Sequence, residues 1–259
     1  MSRPSPKKIL ASIAGYDPSA GAGVLLDVRV FEKLGFRGAA VITAITAQNT
    51  GYVKNVYSLP SPLLREQYQV LAADMAFAGI KIGMVGSGEN LNAVSEILAR
   101  LKDIPRVIDP IFRSSSGAWL LDKEVLSGFL EKIRKRATVL TPNLFEAGLM
   151  IGSEVRNVPD MREAAKEIYD STRIPCLIKG GHLEDDAVNL LYDGQKVYLF
   201  GKKKIKKDVH GTGCFFSAGL LCYLAKGKSL AKACELATEF THTAIREAIR
   251  VGRGRPVFS

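Results

Sequence analysis

Strand-like apolar runs alternate with helical stretches along almost the whole chain, and this alternation limits its fold more than any other feature. A first strand is read at Ile9 to Ala14, then a helix carrying Val24, Val28, Phe31 and Leu34 at i, i+4, i+7 and i+10. Further strands are read at Ala39 to Ala44, Ile80 to Met84, Val107 to Ile108, Thr138 to Leu140 and Cys176 to Ile178. Helices over Leu63 to Met75, Leu91 to Leu101, Val125 to Ile133 and Met161 to Tyr169 separate them. Two ribbon-like strands, Ala187 to Leu191 and Lys196 to Phe200, precede closing helices from Cys214 and from Ala231. This order predicts an α/β fold, a mostly parallel central sheet with helices on both faces. No repeat, low-complexity block or linker interrupts the 259 residues, so a single domain over 1–259 is expected.

In such a sheet the active site lies outside the carboxyl ends of the strands. Polar and glycine residues collect there: Gly15 and Asp17, Gln48 and Asn49, Lys81 and Gly83, Asp109, Asn143 and Glu146, Lys179 to Gly181. Farther along, Gly211-Thr212-Gly213-Cys214 stands just before the apolar run Phe215, Phe216, Ala218, Leu220, Leu221, Leu224. It reads as a tight turn opening a buried helix. Such a turn aims several backbone N–H groups at one place, backed by about +0.5 of a charge from the helix dipole. That suits an anion which appears or moves during a reaction. The same dipole would favour the thiolate of Cys214. Together with Asp109, Asn143, Glu146 and Lys179, the turn composes a phosphoryl-transfer kit, a chemistry that rests on positioning and charge. Carboxylates and an Asn suit Mg²⁺ with its waters, and a strand-end Lys suits phosphate.

Other readings are set aside on chemistry. The net charge of +10 and the run Lys202-Lys203-Lys204-Ile205-Lys206-Lys207 raise the question of nucleic acid. No basic segment is interleaved with aromatics, however, so the run is read as lysines protecting an exposed ribbon edge, and no nucleic-acid partner is expected. Gly227-Lys228-Ser229 lacks the earlier glycine of a P-loop, where Cys222 stands, and Gly21-Ala22-Gly23 lacks the third glycine of a dinucleotide site, where Leu26 stands. Cys176, Cys214, Cys222 and Cys234 show no paired spacing for zinc or a disulfide framework. No apolar run reaches the ~18 residues of a membrane span, and the opening stretch lacks a signal-peptide pattern. A cytoplasmic protein with no membrane partner is expected.

The segments IAGYDPSAGAGVLLD (from Ile13), ITAITAQNTG (from Ile42), KIGM (from Lys81), VIDP (from Val107), LTPNLFEA (from Leu140), IKGGHLED (from Ile178) and HGTGC (from His210) occur in this order. Together they resemble the hydroxymethylpyrimidine/phosphomethylpyrimidine kinases of thiamine biosynthesis, which belong to the ribokinase-like superfamily. The resemblance runs from about Ile9 to the closing VGRGRPV and implies a ribokinase-like three-layer sandwich. It implies ATP- and Mg²⁺-dependent phosphorylation of 4-amino-5-hydroxymethyl-2-methylpyrimidine and then of its monophosphate. Gln48 would hydrogen-bond the aminopyrimidine edge, with Gly15, Asp27 and Met84 lining the same pocket. Gly211, Thr212 and Gly213 would form the anion hole, and Cys214 stands where sugar kinases of the superfamily carry an aspartate base. Lys179, with Asn143 and Gly181, would meet the nucleotide, while Asp109 and Glu146 would organise Mg²⁺ and its waters. His210 and His182 are read as loop hydrogen-bonders. Relatives of this kind are commonly homodimers.

The chain also departs from that pattern. After VIDP, Ser115 stands where the family has Lys or Thr, and Arg113 lies two residues earlier as a candidate substitute. Tyr16 stands where a small Ser or Thr is usual, and Leu25 where Gln is usual. Tyr16 would crowd or stack over the ring pocket. The rival readings are therefore a pyridoxine, pyridoxal or pyridoxamine kinase and, from another class, a non-catalytic pyrimidine sensor.

Overall fold

The computed structural model describes residues 7–114, 117–121, 123–181 and 186–259, so Ser115 and His182 lie outside the described residues. In chain order the elements begin β1 (Ile9–Tyr16), α1 (Gly23–Lys33), β2 (Arg37–Gln48), β3 (Val53–Ser58), α2 (Ser61–Asp74), β4 (Phe77–Ile82) and α3 (Gly88–Arg100). They continue β5 (Arg106–Ile108), α4 (Lys123–Ile133), β6 (Val139–Leu140), α5 (Leu144–Ile151), α6 (Val158–Thr172) and β7 (Cys176–Gly180). The chain closes with β8 (Asp186–Tyr192), β9 (Val197–Lys203), α7 (Thr212–Ala225) and α8 (Leu230–Glu247).

Among the described residues one sheet runs in the order β3-β2-β1-β4-β5-β6-β7-β8-β9. From β2 to β7 each neighbouring pair is parallel, whereas β3, β8 and β9 pair antiparallel at the two margins. Successive side chains of a strand point to opposite faces, so each apolar strand feeds two cores. Leu10, Val107, Val139 and Leu177 pack with Phe31, Phe215, Leu220 and Ala237 of α1, α7 and α8. Their neighbours Ala11, Ile108, Leu140 and Ile178 pack on the other face with Leu64, Leu98, Phe129, Ala147 and Ile168 of α2 to α6. The expected three-layer α/β architecture is what forms. No helix among the described residues is long and apolar enough to cross a membrane.

Two elements go beyond the sequence reading. β3 is a margin strand exposed at Lys54, Asn55, Tyr57 and Ser58, so it shows no apolar alternation. α5 spans 8 residues, less than the length at which helical periodicity stands out. Its start is nonetheless marked by a capping box in which Asn143 Oδ1 accepts from the Glu146 amide and Glu146 Oε2 accepts from the Asn143 amide.

Asp27 requires a correction. It does not line a ligand pocket; it is fully buried on the inner face of α1, one turn after Gly23. Its Oδ1 accepts from Lys81 Nζ at 2.5 Å and its Oδ2 from Ser12 Oγ at 2.6 Å. α1 lies between the sheet and α7, so its buried surface is wider than one stripe and takes in Leu26, Asp27 and Val30. Burial pushes the Asp27 carboxyl up and the Lys81 charge draws it back. Burial alone would lower Lys81, yet the Asp27 charge wins and raises it, so the lysine stays cationic. Breaking such a pair leaves an uncompensated buried charge, which costs about 3–5 kcal/mol. Urea denaturation of Asp27→Ala is expected to show a loss of that order. Asp27→Leu combined with Lys81→Met should recover most of it, and a loss below ~1 kcal/mol in the single variant would contradict the assignment.

Candidate active site

The strand order reverses between β1 and β4, and the loops after these two strands diverge there. A cleft of about 1180 Å³ opens over the carboxyl ends of the strands at this point. Gly15, Gln48 and Met84 line one end of it, and Asn143, Lys179 and Gly181 the middle. Gly15 and Met84 lie in close contact: a Cβ on Gly15 would stand 2.9 Å from the Met84 sulfur. The expected ring-pocket residues, Asp27 excepted, are thus brought together.

The first turn of α7 forms the floor. Gly211 adopts φ +78°, and a Cβ on it would come within 1.9 Å of the Gly21 carbonyl oxygen, so only glycine fits this left-handed corner. The two loops therefore meet backbone to backbone. No side chain caps α7, and its first intrahelical bond runs from the Phe215 amide to the Gly211 carbonyl. The amides of Thr212, Gly213 and Cys214 have no intrahelical partner, and all three residues line the cleft. The glycine turn thus opens the helix with three uncapped amides beside the cleft, the backbone arrangement read from the sequence.

Behind it lies Asp109. Its Oδ1 accepts from Lys179 Nζ at 2.5 Å and from Thr141 Oγ1 at 3.1 Å, and its Oδ2 from Ser217 Oγ at 2.9 Å. Burial works to raise this carboxyl, but the charges of Lys179 and Lys81 and the hydrogen bonds from Lys179 and Ser217 hold it below the ordinary carboxylate range. Asp109 thereby supports Lys179 and α7, with protein donors reaching both of its oxygens. Lys179 Nζ lies 3.0 Å from the place a Gly213 Cβ would take, so the ammonium stands beside the amide turn.

Among the described residues Glu146 makes no ion pair, the Lys179 ammonium being paired with Asp109. It lines the cleft, is 3% exposed, and burial pushes its pKa up to about 8, the Lys179 charge opposing and Asp109 adding to the rise. A hard divalent cation held by this oxygen would relieve that cost, so the donor chemistry fits Mg²⁺ with mostly water ligands. No group of three or more His, Cys, Asp or Glu that could hold a metal exists among the described residues.

Cys214 behaves differently from the helix-dipole expectation. Burial pushes its thiol up to about 11, and the Lys81 charge and a hydrogen bond from the Gly23 amide only partly oppose this. The thiol is therefore neutral near pH 7. Across the cleft, buried Asp17 accepts from His210 Nε2 at 2.9 Å and from the Ser19 amide and hydroxyl. Burial works against the Asp17 charge, but His210, Ser19 and a hydrogen bond from Gln48 keep its pKa lowered. A carboxylate can only accept, so the Gln48 amide N–H₂ must point at Asp17 and the Gln48 carbonyl is left for the cleft. His210 is a loop fastener, as read.

Several cleft residues carry no sequence signal. Thr238, Thr241 and His242 of α8 line the end opposite Met84 with Asn189 of β8. The Thr241 hydroxyl is buried and finds no hydrogen-bond partner among the described residues. The lysine run is partly corrected: β9 is indeed the sheet margin, but Lys202, Lys204, Lys206 and Lys207 border the cleft. Lys207 Nζ is anchored on the carbonyls of Arg246 and Ala248 at 3.0 and 2.6 Å.

Comparison with known proteins agrees with this geometry. Residues 17–258 match the family described as phosphomethylpyrimidine kinase. The hydroxymethylpyrimidine/phosphomethylpyrimidine kinase of Aquifex aeolicus is 38% identical over 248 residues, 95% of this chain and 97% of that protein. The pyridoxal kinase of Staphylococcus aureus in complex with ADP superimposes with TM-score 0.89 at 31% identity, covering 98% of this chain and 94% of that one. The phosphomethylpyrimidine kinase of Clostridium difficile does so with TM-score 0.80 at 33% identity, covering 92% and 100%.

All four cysteines are buried and free, and burial raises each thiol. The thiolate is the species that alkylates. Iodoacetamide at pH 8 is therefore expected to label the folded protein slowly and the guanidinium-unfolded chain at all four sites. Rapid single labelling at Cys214 in the folded state, read by mass spectrometry, would show an ionised thiol instead.

Proposed function

The chain belongs to the phosphomethylpyrimidine kinase family, and on that premise we propose that it uses ATP to phosphorylate the hydroxymethyl group of 4-amino-5-hydroxymethyl-2-methylpyrimidine, and then the monophosphate so formed. The observation that carries this reading is the meeting of the uncapped α7 amides, Lys179 and the Asp17-oriented Gln48 amide in one cleft. Their order along it matches an acceptor ring at one end and a nucleotide at the other.

The ring lies against Gly15 and Met84, where the free Gln48 carbonyl accepts from its exocyclic amino group. The nucleoside extends toward Asn189, Thr238 and Thr241, and the Thr241 hydroxyl gains a partner there. Lys179 and Asn143 meet the phosphates, and the lysines after β9 add positive charge at the mouth. Glu146, with Asn143 through water, would hold Mg²⁺, which supplies neutralisation of the polyphosphate charge. As the transferring group becomes metaphosphate-like, its oxygens gain charge where the Thr212, Gly213 and Cys214 amides point. These amides need no reorganisation at that moment.

A loose transition state asks little of a base, because the acceptor O–H keeps its proton until the new P–O bond is largely formed. A neutral Cys214 thiol suits this order: it aims the hydroxyl, and solvent takes the proton late. Homodimers in the cytoplasm are the setting we propose; Ile45 and Tyr57, paired across β2 and β3, give an exposed apolar surface for such contact. Pyridoxal is the second candidate acceptor, favoured by the likeness to the Staphylococcus aureus enzyme.

The substrate is decided by ADP release with Mg-ATP against the aminopyrimidine alcohol, its monophosphate and pyridoxal, one at a time. Turnover of the first two is expected, and turnover of pyridoxal alone would overturn the acceptor assignment. For Cys214→Ser we expect kcat to fall no more than about tenfold, below the ~10²–10⁴ of a general base. The wild-type rate should be flat between about pH 7.5 and 9. A tenfold rise per pH unit that disappears in Cys214→Ser would show that the thiolate takes the proton.

A further inference from the structure

Arg113 has no role in the transfer described above, yet its head group is held at the cleft wall. Its backbone bridges Trp119 in a small hairpin closed by the Ser114 amide to the Ala118 carbonyl and the Leu120 amide to the Phe112 carbonyl. Its Nε donates to the Gly117 carbonyl at 2.6 Å, and its guanidinium lies over the Phe145 ring, 5.5 Å from the centroid. Trp119 flanks that ring in turn, with centroids 6.3 Å apart. Phe145 belongs to the first turn of α5, next to Glu146, so the guanidinium is tied to the helix start that carries the candidate cation ligand. Among the described residues no carboxylate pairs with it.

The hairpin also places Arg113 along the length of the cleft. Leu120 and Ile111 pack against Met84 and Ala44, so this segment covers the acceptor end and not the nucleoside end at α8. The Arg113 side chain lines the same cleft as Gln48, Met84 and Lys179. The stacked guanidinium keeps its two terminal nitrogens, a fork that matches a phosphate group.

We propose that Arg113 is the specificity-determining residue for the phosphorylated acceptor, binding the phosphate of the once-phosphorylated aminopyrimidine. This rests on the kinase reading above and adds the residue that separates its two steps. In the second transfer an oxygen of the acceptor phosphate attacks the γ-phosphorus, the bond to the bridging oxygen breaks, and ADP leaves with that electron pair. At pH 7.5 the attacking phosphomonoester is mostly a dianion and has no proton to lose. Cys214 is then dispensable, and the added requirement is a countercharge beside the two incoming phosphates. The alcohol makes no such demand.

The test is the ratio of kcat/KM for the monophosphate to kcat/KM for the alcohol, with Mg-ATP, in the wild-type protein, Arg113→Met and Arg113→Lys. The ratio cancels the fraction of folded enzyme, so partial misfolding does not imitate the effect. In Arg113→Met it is expected to fall about 10- to 100-fold, the range for loss of a hydrogen bond to a charged group. Arg113→Lys should recover part of the loss through point charge alone. A ratio in Arg113→Met within about twofold of wild type overturns the proposal. So does a wild-type protein that phosphorylates the alcohol and never the monophosphate. A wild-type protein that turns over neither compound fails the kinase reading itself, a different result.

Discussion

One carboxylate sets the geometry on which the rest of the site depends. Asp109, at the end of β5, accepts from Thr141 after β6, Lys179 on β7 and Ser217 on α7. A charge with no access to water is tolerated only when paired and hydrogen-bonded, so these donors are obligatory partners. Ser217 ties the first turns of α7 to the end of β5, and Lys179 brings an ammonium to the same carboxylate. The amide turn and its cation are thus consequences of satisfying a single buried charge. Lys81 and Asp27 repeat the device one layer deeper, where their cation also acts on Asp109 and Cys214.

Glycine lets the loops come close enough to matter. Gly211 and Gly21 touch through backbone atoms, and Gly213 leaves the space in which the Lys179 ammonium lies. A side chain at either turn would separate the amides from the cation by the width of a methyl group or more. The same crowding explains the character of Cys214. It sits in the first turn of a helix, a place that favours a thiolate, but it is also 6% exposed and packed against the α1 loop. Desolvation grows with every contact, whereas the dipole contributes ~0.3–1 kcal/mol at an exposed end. Burial wins.

These features also order the chemistry along the cleft. Gly15, Gln48 and Met84, the amide turn with Lys179, and Thr238 and Thr241 of α8 all line one cleft over the strand ends, each group from different elements. On the proposed reading, acceptor preference can change with Arg113 and its aromatic neighbours while the amide turn and Lys179 stay as they are.

The alternation of elements, the parallel sheet, the two helical faces and the glycine turn before α7 were all legible in the chain, as were Gln48, Asn143, Glu146 and Lys179 at strand ends, while Met84 entered only with the family resemblance. Periodicity and turn chemistry are local, and these features follow from them. Only the tertiary structure decided that Asp27 is a core ion-pair partner, that both oxygens of Asp109 are occupied, and that the lysine run borders the cleft. It also decided that the Thr241 hydroxyl is buried without a partner among the described residues and that Arg113 stacks on Phe145. Each of these depends on which elements pack across from one another. The side chain of an aspartate reads the same in sequence whether it faces water, a metal or a buried lysine; what differs is the desolvation and the partner, and both are set by residues tens or hundreds of positions away.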